Sequence, residues 1–250
     1  MIRLALLLVA LALPAQAEQV VAGLSQDRIA ITANFRGSEI LIFGAVKREV
    51  AIPEGELDVI VTVEGPLEPV TVRHKTRRMG IWINTEAVEV DHAPSFYAVA
   101  TTGPMEQILS QTEDLRHAIS VPRAIRSVGA PQTIEDSQRF TEALIRIRES
   151  VGNYSLREGA VELAQDTLFR TQFDLPANLT EGSYKTRIFL MRERRVIDLH
   201  EATIDVRMVG LERWLFTLAH EQPAAYGLLS LFLAVGAGWA ASAAFRFIRV

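Results

Sequence analysis

The sequence predicts a mainly β protein with an α insertion: an Ig-like β-sandwich that carries an inserted helical hairpin and is followed by a single C-terminal transmembrane helix. Three observations predict this fold class. Short segments with period-two alternation and turn signals fill residues 18–103 and return over 166–210. Helical spacing replaces the alternation over 104–165. An uncharged apolar stretch, 223–245, is long enough to cross a bilayer as a helix.

The first 17 residues, MIRLALLLVALALPAQA, have the pattern of a secretory signal peptide. Arg3 supplies a positive charge, an apolar run of ten residues follows, and Ala15-Gln16-Ala17 forms an A-x-A site. The alternative is an N-terminal membrane anchor, but a hydrocarbon core takes about 20 apolar residues to cross. We therefore expect cleavage after Ala17.

Residues 18–103 are predicted to supply most of the sandwich strands. Alternation begins at Ile29, and the segment LDVIVTVE places Leu57, Val59, Val61 and Val63 on one face. Turn signals separate these strands at intervals of roughly ten residues, as in β-sandwich domains. Further strands are predicted in EILIFGAV, around Val70 and Val72, in GIWIN and in SFYAVAT.

Residues 104–165 are predicted to form the helical insertion. A first helix is expected to begin at Pro104 and to end before Pro122, because proline is favoured at the first helical position and breaks a helix interior. A second helix opens with a capping box at Thr133 and Asp136 and ends at Gly152. Their apolar stripes are expected to pack into the core.

Alternation returns over 166–210, in a strand at 167–175 and in the segments YKTRIFLM and ATIDVRMVG. Three strands cannot build a sandwich alone. They either complete the first sandwich, which makes the helices an insertion, or form a second small lobe. We prefer the first alternative.

The C-terminal region predicts a membrane anchor. Residues 211–222, LERWLFTLAHEQ, are amphipathic enough for a short juxtamembrane helix that precedes the span at 223–245. Two arginines follow in the tail at 246–250, and the positive-inside rule places that tail in the cytoplasm. The bulk of the chain is then on the outer side of the membrane, in agreement with the signal peptide, in a single-pass protein.

Composition limits the function classes. All 30 acidic residues and 23 of the 26 basic residues lie within 18–222, so this region carries a formal net charge of −7. An acidic domain is a poor candidate for binding nucleic acid. The chain has no cysteine, which excludes disulfides and thiolate chemistry. The five histidines stand apart in the sequence, and even the densest ligand-like patch, EVDHAP at 89–94, contains only one of them. No metal site is therefore predicted.

The densest basic run lies in VRHKTRRMGIWIN. On a strand, the first, third and fifth residues after Val72 would share one face in a row about 7 Å apart. Such a row protects an edge strand against aggregation. Alternatively, these cations could bind an oxyanion beside an indole. The predicted ligand-binding residues are Arg73, Lys75, Arg77, Arg78, Trp82 and Asn84.

The predicted span also carries small residues where another membrane helix could pack closely. Ordinary membrane-helix composition would give a similar pattern. The candidate helix-packing residues are Gly227, Gly236, Gly238, Ala240 and Ser242.

Three idiosyncratic strings carry a resemblance to a known family: ITANFRGSEILIFGAV, RRMGIWIN followed by PSFYAVATTGP, and VGLERWLFTLAHEQPAAYGLLSLFLAVGAGW. Through them the chain resembles the alphaproteobacterial "putative transmembrane protein" family, whose members share a signal peptide, an exterior domain and one C-terminal span. The resemblance brings no catalytic residues to carry over. It implies a partner, because genes of the family often neighbour those of sulfite-exporter-type permeases.

The first hypothesis is therefore a non-enzymatic accessory or interaction partner of such an anion permease, tethered to the membrane. A periplasmic oxyanion-binding receptor domain is the alternative. A membrane-anchored hydrolase is a further one, since a Ser-His-Asp triad can converge in space without a local motif; no hydrolase, nucleotide or dinucleotide fingerprint occurs. No cofactor is predicted.

Overall fold

The structure is a computed structural model that describes residues 18–32, 34–49, 52–125 and 137–248. The predicted signal peptide, the predicted capping box at Thr133 and Asp136, and the last two residues of the tail lie outside the described residues. The chain forms two compact units: one runs up to Ile29 and resumes over Arg36–Val206, and the other comprises Ala30–Phe35 and Arg207 onward.

The described elements confirm a mainly β fold with helices between strands and one long apolar helix at the C-terminus. The strands are β1 Glu18–Leu24, β2 Arg28–Ile31, β3 Ser38–Arg48, β4 Leu57–Glu64, β5 Leu67–Arg78, β6 Ile81–Pro94, β7 Tyr97–Thr101, β8 Tyr154–Arg157, β9 Glu162–Ala164, β10 Leu168–Leu175, β11 Gly182–Arg192 and β12 Arg195–Met208. The helices are α1 Met105–Ile108, α2 Gln111–His117, α3 Val121–Ala124, α4 Ser137–Ser150, α5 Leu211–Glu221 and α6 Pro223–Ile248.

The strands form three sheets. A four-stranded sheet has the order β1-β3-β10-β9, a six-stranded sheet has the order β2-β12-β11-β4-β7-β8, and β5 and β6 form a two-stranded sheet among the described strands. β10 lies beside β3 and β11 lies beside β4, so the returning strands extend the sheets that the first half begins. β8 runs parallel to β7, and the connection between them carries α1–α4.

Burial of the strands follows the pattern of a sandwich-like fold. In β10, every second residue from Phe169 to Leu175 is buried and its neighbours are exposed. In β4, by contrast, the residues from Val59 to Val63 are all buried, so both faces of the six-stranded sheet are covered at its centre. Val59, Val61 and Val63 share one face, as the alternation predicts.

The other face of the six-stranded sheet packs against the helices and the base of the β5–β6 hairpin. This second core joins sheet residues such as Ile60, Tyr97 and Phe189 to helix residues such as Phe140 and Leu144. Its remaining buried members are Val72, Val88, Val90, Ala93, Val99, Ile108, Leu109, Ile119, Val121, Ile125, Tyr154 and Met191. The predicted apolar stripes are thus buried only in part, because Leu115, Ile147 and Val151 on the same helical segments are more than half exposed.

The helical segment differs in detail from its prediction. The first helix is interrupted at Leu109, which has extended backbone, and Ser110 then caps α2 by accepting a hydrogen bond from the Glu113 N–H. Ala118 ends α2 in the left-handed region, with φ 49°. Pro122 lies in the first turn of α3 rather than after a helix, a position that tolerates a missing N–H.

Candidate functional site

The outer half of the β5–β6 hairpin has no buried residue on either strand. Val72 and Val88 lie opposite each other and are both buried. Beyond them, residues 73–87 are exposed or half-buried on both strands. We call residues 73–87 the hairpin arm. β5 continues for six residues past Val72, which at the rise of a β-strand is about 20 Å.

The hairpin arm ends in a two-residue turn at Met79 and Gly80. Both residues have positive φ, 50° and 84° respectively. Positive φ at both central positions is the conformation of the type I′ turn, whose twist matches that of the flanking strands. Gly80 adopts it without steric cost, whereas Met79 places a fully exposed side chain at the tip.

Strand register shows which of the predicted binding residues come together. Residues directly opposite in an antiparallel pair share a face. Arg77 lies opposite Trp82, and Lys75 lies opposite Asn84. Arg73 follows on the same face of β5. One face of the hairpin arm thus gathers five of the six predicted residues; we call it the basic face.

Arg78 is the exception, because it lies opposite Ile81 on the other face. That face also carries His74, whose Nδ1 lies 3.4 Å from the Glu86 carboxylate. A register shift between His74 and Lys75 leaves Thr85 as the extra residue, and its hydroxyl donates to the His74 carbonyl at 3.4 Å. Alternation along the strand already separates Arg78 from the row of Arg73, Lys75 and Arg77. The sequence alone, which lacks the turn position and the bulge, could not place Trp82 and Asn84 on the basic face.

The basic face is open. Trp82 is 67% exposed, so its indole lies on the ribbon rather than closing a pocket. Within the part of the chain that the structure describes, no ion pair engages the three basic-face cations or Arg78. Both strands of the hairpin arm are edges, and a row of cations opposes edge-to-edge pairing with another sheet. The arrangement suits contact with an extended anionic surface more than enclosure of one small ion.

The C-terminal helix α6 carries the candidate packing residues. Its stretch Pro223–Ala244 is long and apolar enough to cross a membrane. A side chain added at Gly227, Gly236 or Gly238 would meet nothing within 4 Å. Gly236 and Ala240 are four residues apart, as are Gly238 and Ser242, so each pair shares a helix face.

A buried polar network that the sequence did not predict binds the carbonyl groups at the C-terminal end of α2. Arg187 donates to the His117 carbonyl at 2.6 Å and to the Ala118 carbonyl at 3.1 Å. Its second Nη also donates to the Tyr97 hydroxyl at 3.1 Å, and that hydroxyl donates to the Ile119 carbonyl at 2.8 Å. Burial raises the pKa of Tyr97 well above its usual value. The only sign of this network in the sequence is a charged residue, Arg187, in the middle of the predicted strand YKTRIFLM.

Glu18 forms a second buried network. Its carboxylate accepts from Arg48 Nε at 2.7 Å and from Arg192 Nη2 at 2.8 Å. The Glu18 side chain is only 3% exposed. These partners lie 30 and 174 residues away in the chain, a separation that no local pattern predicts.

An open polar groove of about 410 Å³ lies along β9 and β10. Arg157 pairs there with Asp174 at 3.2 Å, and Arg170 pairs with Glu162 at 2.6 Å. Its lining residues are Leu41, Arg157, Ala160, Glu162, Arg170, Thr171, Gln172 and Asp174. Since each cation already has a carboxylate partner, the groove offers no unbalanced charge to a ligand. Among the described residues, no three His, Asp or Glu side chains group as metal ligands.

Comparison with family models matches residues 19–247 to the family described as "Putative transmembrane protein (Alph_Pro_TM)". The chain belongs to this family. The match covers almost all of the described residues and confirms the resemblance that the three strings carry. This Alph_Pro_TM member is accordingly a membrane protein with one C-terminal apolar helix, α6.

Among solved structures, the Alph_Pro_TM chain is similar to "Spo0M, sporulation control protein, from Bacillus subtilis" at 10% identity. The match covers 77% of this chain and half of that chain, with a TM-score of 0.26. A similarity at that level supports no argument about fold or function. A comparison with curated proteins gives no match.

Proposed function

We propose that the protein is a non-enzymatic accessory protein that α6 tethers beside a polytopic partner in a bacterial inner membrane. In this proposal residues 1–17 direct export, the β-rich unit lies in the periplasm, and the C-terminus lies in the cytoplasm. The family resemblance points to an anion permease of the sulfite-exporter type as the partner. The basic tail supports the orientation, because the positive-inside rule favours Lys and Arg on the cytoplasmic side.

This proposal rests on the glycines of α6, where no side chain covers the helix backbone. In lipid there is no hydrophobic drive between helices, so close packing at small residues is what holds them together. Gly236 and Gly238 leave the backbone open, and each has a small residue four positions later. A partner helix could approach the backbone at these positions.

The buried polar groups support a non-enzymatic role. Arg187, which could otherwise bind an anionic substrate, and Tyr97 bind the carbonyls at the end of α2. Glu18 is held between two guanidinium groups. These contacts stabilise the fold.

The test is purification of the tagged full chain from native membranes, with identification of the proteins that accompany it. We expect a polytopic protein to co-purify with the wild type and to be lost in Gly236→Leu or Gly238→Leu, because the added side chain keeps the helices apart. Ala237→Leu is the matched control, since it adds the same kind of bulk between the two pairs. Retention of the partner in both glycine variants would refute the role of this helix.

An oxyanion receptor is the second candidate, and the basic face favours it. Arg77, Lys75 and Asn84 are the kinds of donor that bind oxyanions, and they share that face. Sulfite, sulfate or phosphate should then raise the melting temperature of the full chain in detergent. Arg77→Glu should abolish the shift, whereas Arg78→Glu, on the opposite face, should retain it. The absence of a shift with all three anions would exclude this candidate.

A further inference from the structure

We propose that the hairpin arm is a second membrane-contacting element, whose tip enters the headgroup region of an anionic bilayer while its basic face binds lipid phosphates. The occupant is a lipid surface, on the same side of the membrane as the β-rich unit. This inference goes beyond the proposed function, which concerns α6 and a protein partner.

The tip of the hairpin arm exposes a cluster of large apolar side chains. Met79 is fully exposed, Ile81 is 64% exposed and Trp82 is 67% exposed. Single exposed apolar residues are common on protein surfaces. Three of them within four positions, at the end of the ribbon and on both of its faces, give the tip a large apolar surface whose removal from water is favourable.

The order of residues along the hairpin arm matches the depth profile of a bilayer surface. Met79 lies outermost, Ile81 and Arg78 form the last pair before the turn, and Trp82 comes next, where an indole prefers the boundary between headgroups and acyl chains. Arg77 lies opposite Trp82, and Lys75 and Arg73 follow at intervals of about 7 Å. Their long side chains can reach phosphate groups while the tip is inserted. A free oxyanion would not require the apolar tip.

Net charge distinguishes the hairpin arm from the rest of residues 18–222. Residues 73–87 contain four fixed cations and one carboxylate, a formal charge of +3, within a region of −7. The rest of that region therefore carries −10. An anionic bilayer would attract the hairpin arm and repel the rest, so the charge distribution favours insertion of this element over other surface elements.

Two further features favour contact with lipid. α6 already holds the chain on the membrane, which raises the local lipid concentration so that a weak additional contact is sufficient. The strands pair with each other as far as Arg78 and Ile81, on either side of the turn. Backbone groups between the two strands therefore keep their hydrogen bonds, and the outward-facing groups can bond to the water and phosphates of the headgroup region.

The chain has no cysteine, so Met79→Cys provides a unique position for an environment-sensitive fluorophore. The labelled full chain would be reconstituted in nanodiscs of phosphatidylglycerol with phosphatidylcholine, or of phosphatidylcholine alone. In the anionic nanodiscs we expect blue-shifted emission and quenching by spin-labelled lipid. Both effects should be lost at high salt, which screens the cations. A label at Leu168→Cys, an exposed position on β10, should show neither effect.

The charge requirement is tested by reversing the basic face with Arg73→Glu, Lys75→Glu and Arg77→Glu. The matched control reverses three other exposed arginines, Arg123, Arg146 and Arg195, and so makes the same change in net charge. Quenching should disappear in the first variant and persist in the second, with both melting at the wild-type temperature.

Three results would overturn the proposal. The first is a label at position 79 that stays in water on anionic nanodiscs. The second is a spectral change that free phosphate produces without anionic lipid, which would assign the basic face to a soluble oxyanion. The third is burial of the label in native membranes but not in protein-free anionic nanodiscs, which would assign the hairpin arm to a protein partner. None of these results bears on the α6 variants, so the two proposals fail independently.

Discussion

Strands β4 and β5 follow each other in the chain, yet they occupy opposite environments. Six of the eight residues of β4 are buried, whereas Val72 is the single buried residue among the twelve of β5. Both are rich in residues that favour strands. The difference lies in their neighbours, because β4 is inside the six-stranded sheet and β5 has one partner. Stability is thus concentrated in the first strand and accessible surface in the second.

Gly65 marks the point where the chain passes from one environment to the other. Its N–H donates to the Phe96 carbonyl at 2.7 Å, and the Ser95 N–H donates to the Pro66 carbonyl at 2.8 Å. A Cβ at Gly65 would lie 2.7 Å from the Ser95 hydroxyl, closer than packing allows. The close approach of the chain to Ser95 between β4 and β5 therefore requires a residue without a side chain at position 65.

The largest expected contrast is between two aromatic truncations. Phe189→Ala removes a fully buried ring from β11 and should lower the free energy of unfolding by about 3–5 kcal/mol. Trp82→Ala, in the hairpin arm, should change it by no more than about 0.5 kcal/mol, as expected for an exposed position. Urea unfolding followed by circular dichroism measures both. Equal losses would show that the hairpin arm contributes to the core.

The second contrast compares two ion pairs. Glu18→Gln leaves two buried guanidinium groups without their carboxylate and should cost about 3 kcal/mol. Glu86→Gln breaks the exposed pair with His74 and should cost less than about 0.5 kcal/mol. The same unfolding experiment applies. A small effect of Glu18→Gln would mean that water replaces the lost partner.

The smallest effect concerns pH at the end of β4. Burial raises the pKa of Glu64 above its usual value of 4.5, and the nearby Arg187 lowers it less. The stabilising contribution of protonated Glu64 is complete below the unfolded pKa and is lost as pH rises through the folded pKa. Glu64→Gln should therefore gain stability relative to the wild type as pH rises from about 4 to 7. A difference independent of pH would contradict this assignment.

Much of the fold could be predicted because it depends on local pattern. The alternation of Val59, Val61 and Val63 gave a buried face, and the uncharged stretch from Pro223 gave α6. The burial of Ile60 and Thr62 on the opposite face of β4 could not be predicted. It depends on coverage by helices and by the hairpin base, which alternation within one strand does not reveal.

The candidate site was predictable in part for the same reason. The periodicity of a strand places Arg73, Lys75 and Arg77 on one face, and this holds whichever strand is the partner. The same periodicity places Arg78 on the other face. The position of Trp82 on the basic face depends on the turn at Met79. Methionine is not a residue that signals a type I′ turn, so the sequence did not reveal where the ribbon reverses.

The pairing of distant strands sets a condition on biogenesis. β3 lies between β1 and β10, with Leu168 opposite Ala45, and β4 lies beside β11, with Lys185 opposite Glu64. Until synthesis has passed β11, the edge of β3 that faces β10 and the edge of β4 that faces β11 have no partner and can associate with other chains. Such long-range pairing slows folding. The nascent polypeptide therefore needs protection from aggregation for most of its length, and a chain that stops before β10 should not fold.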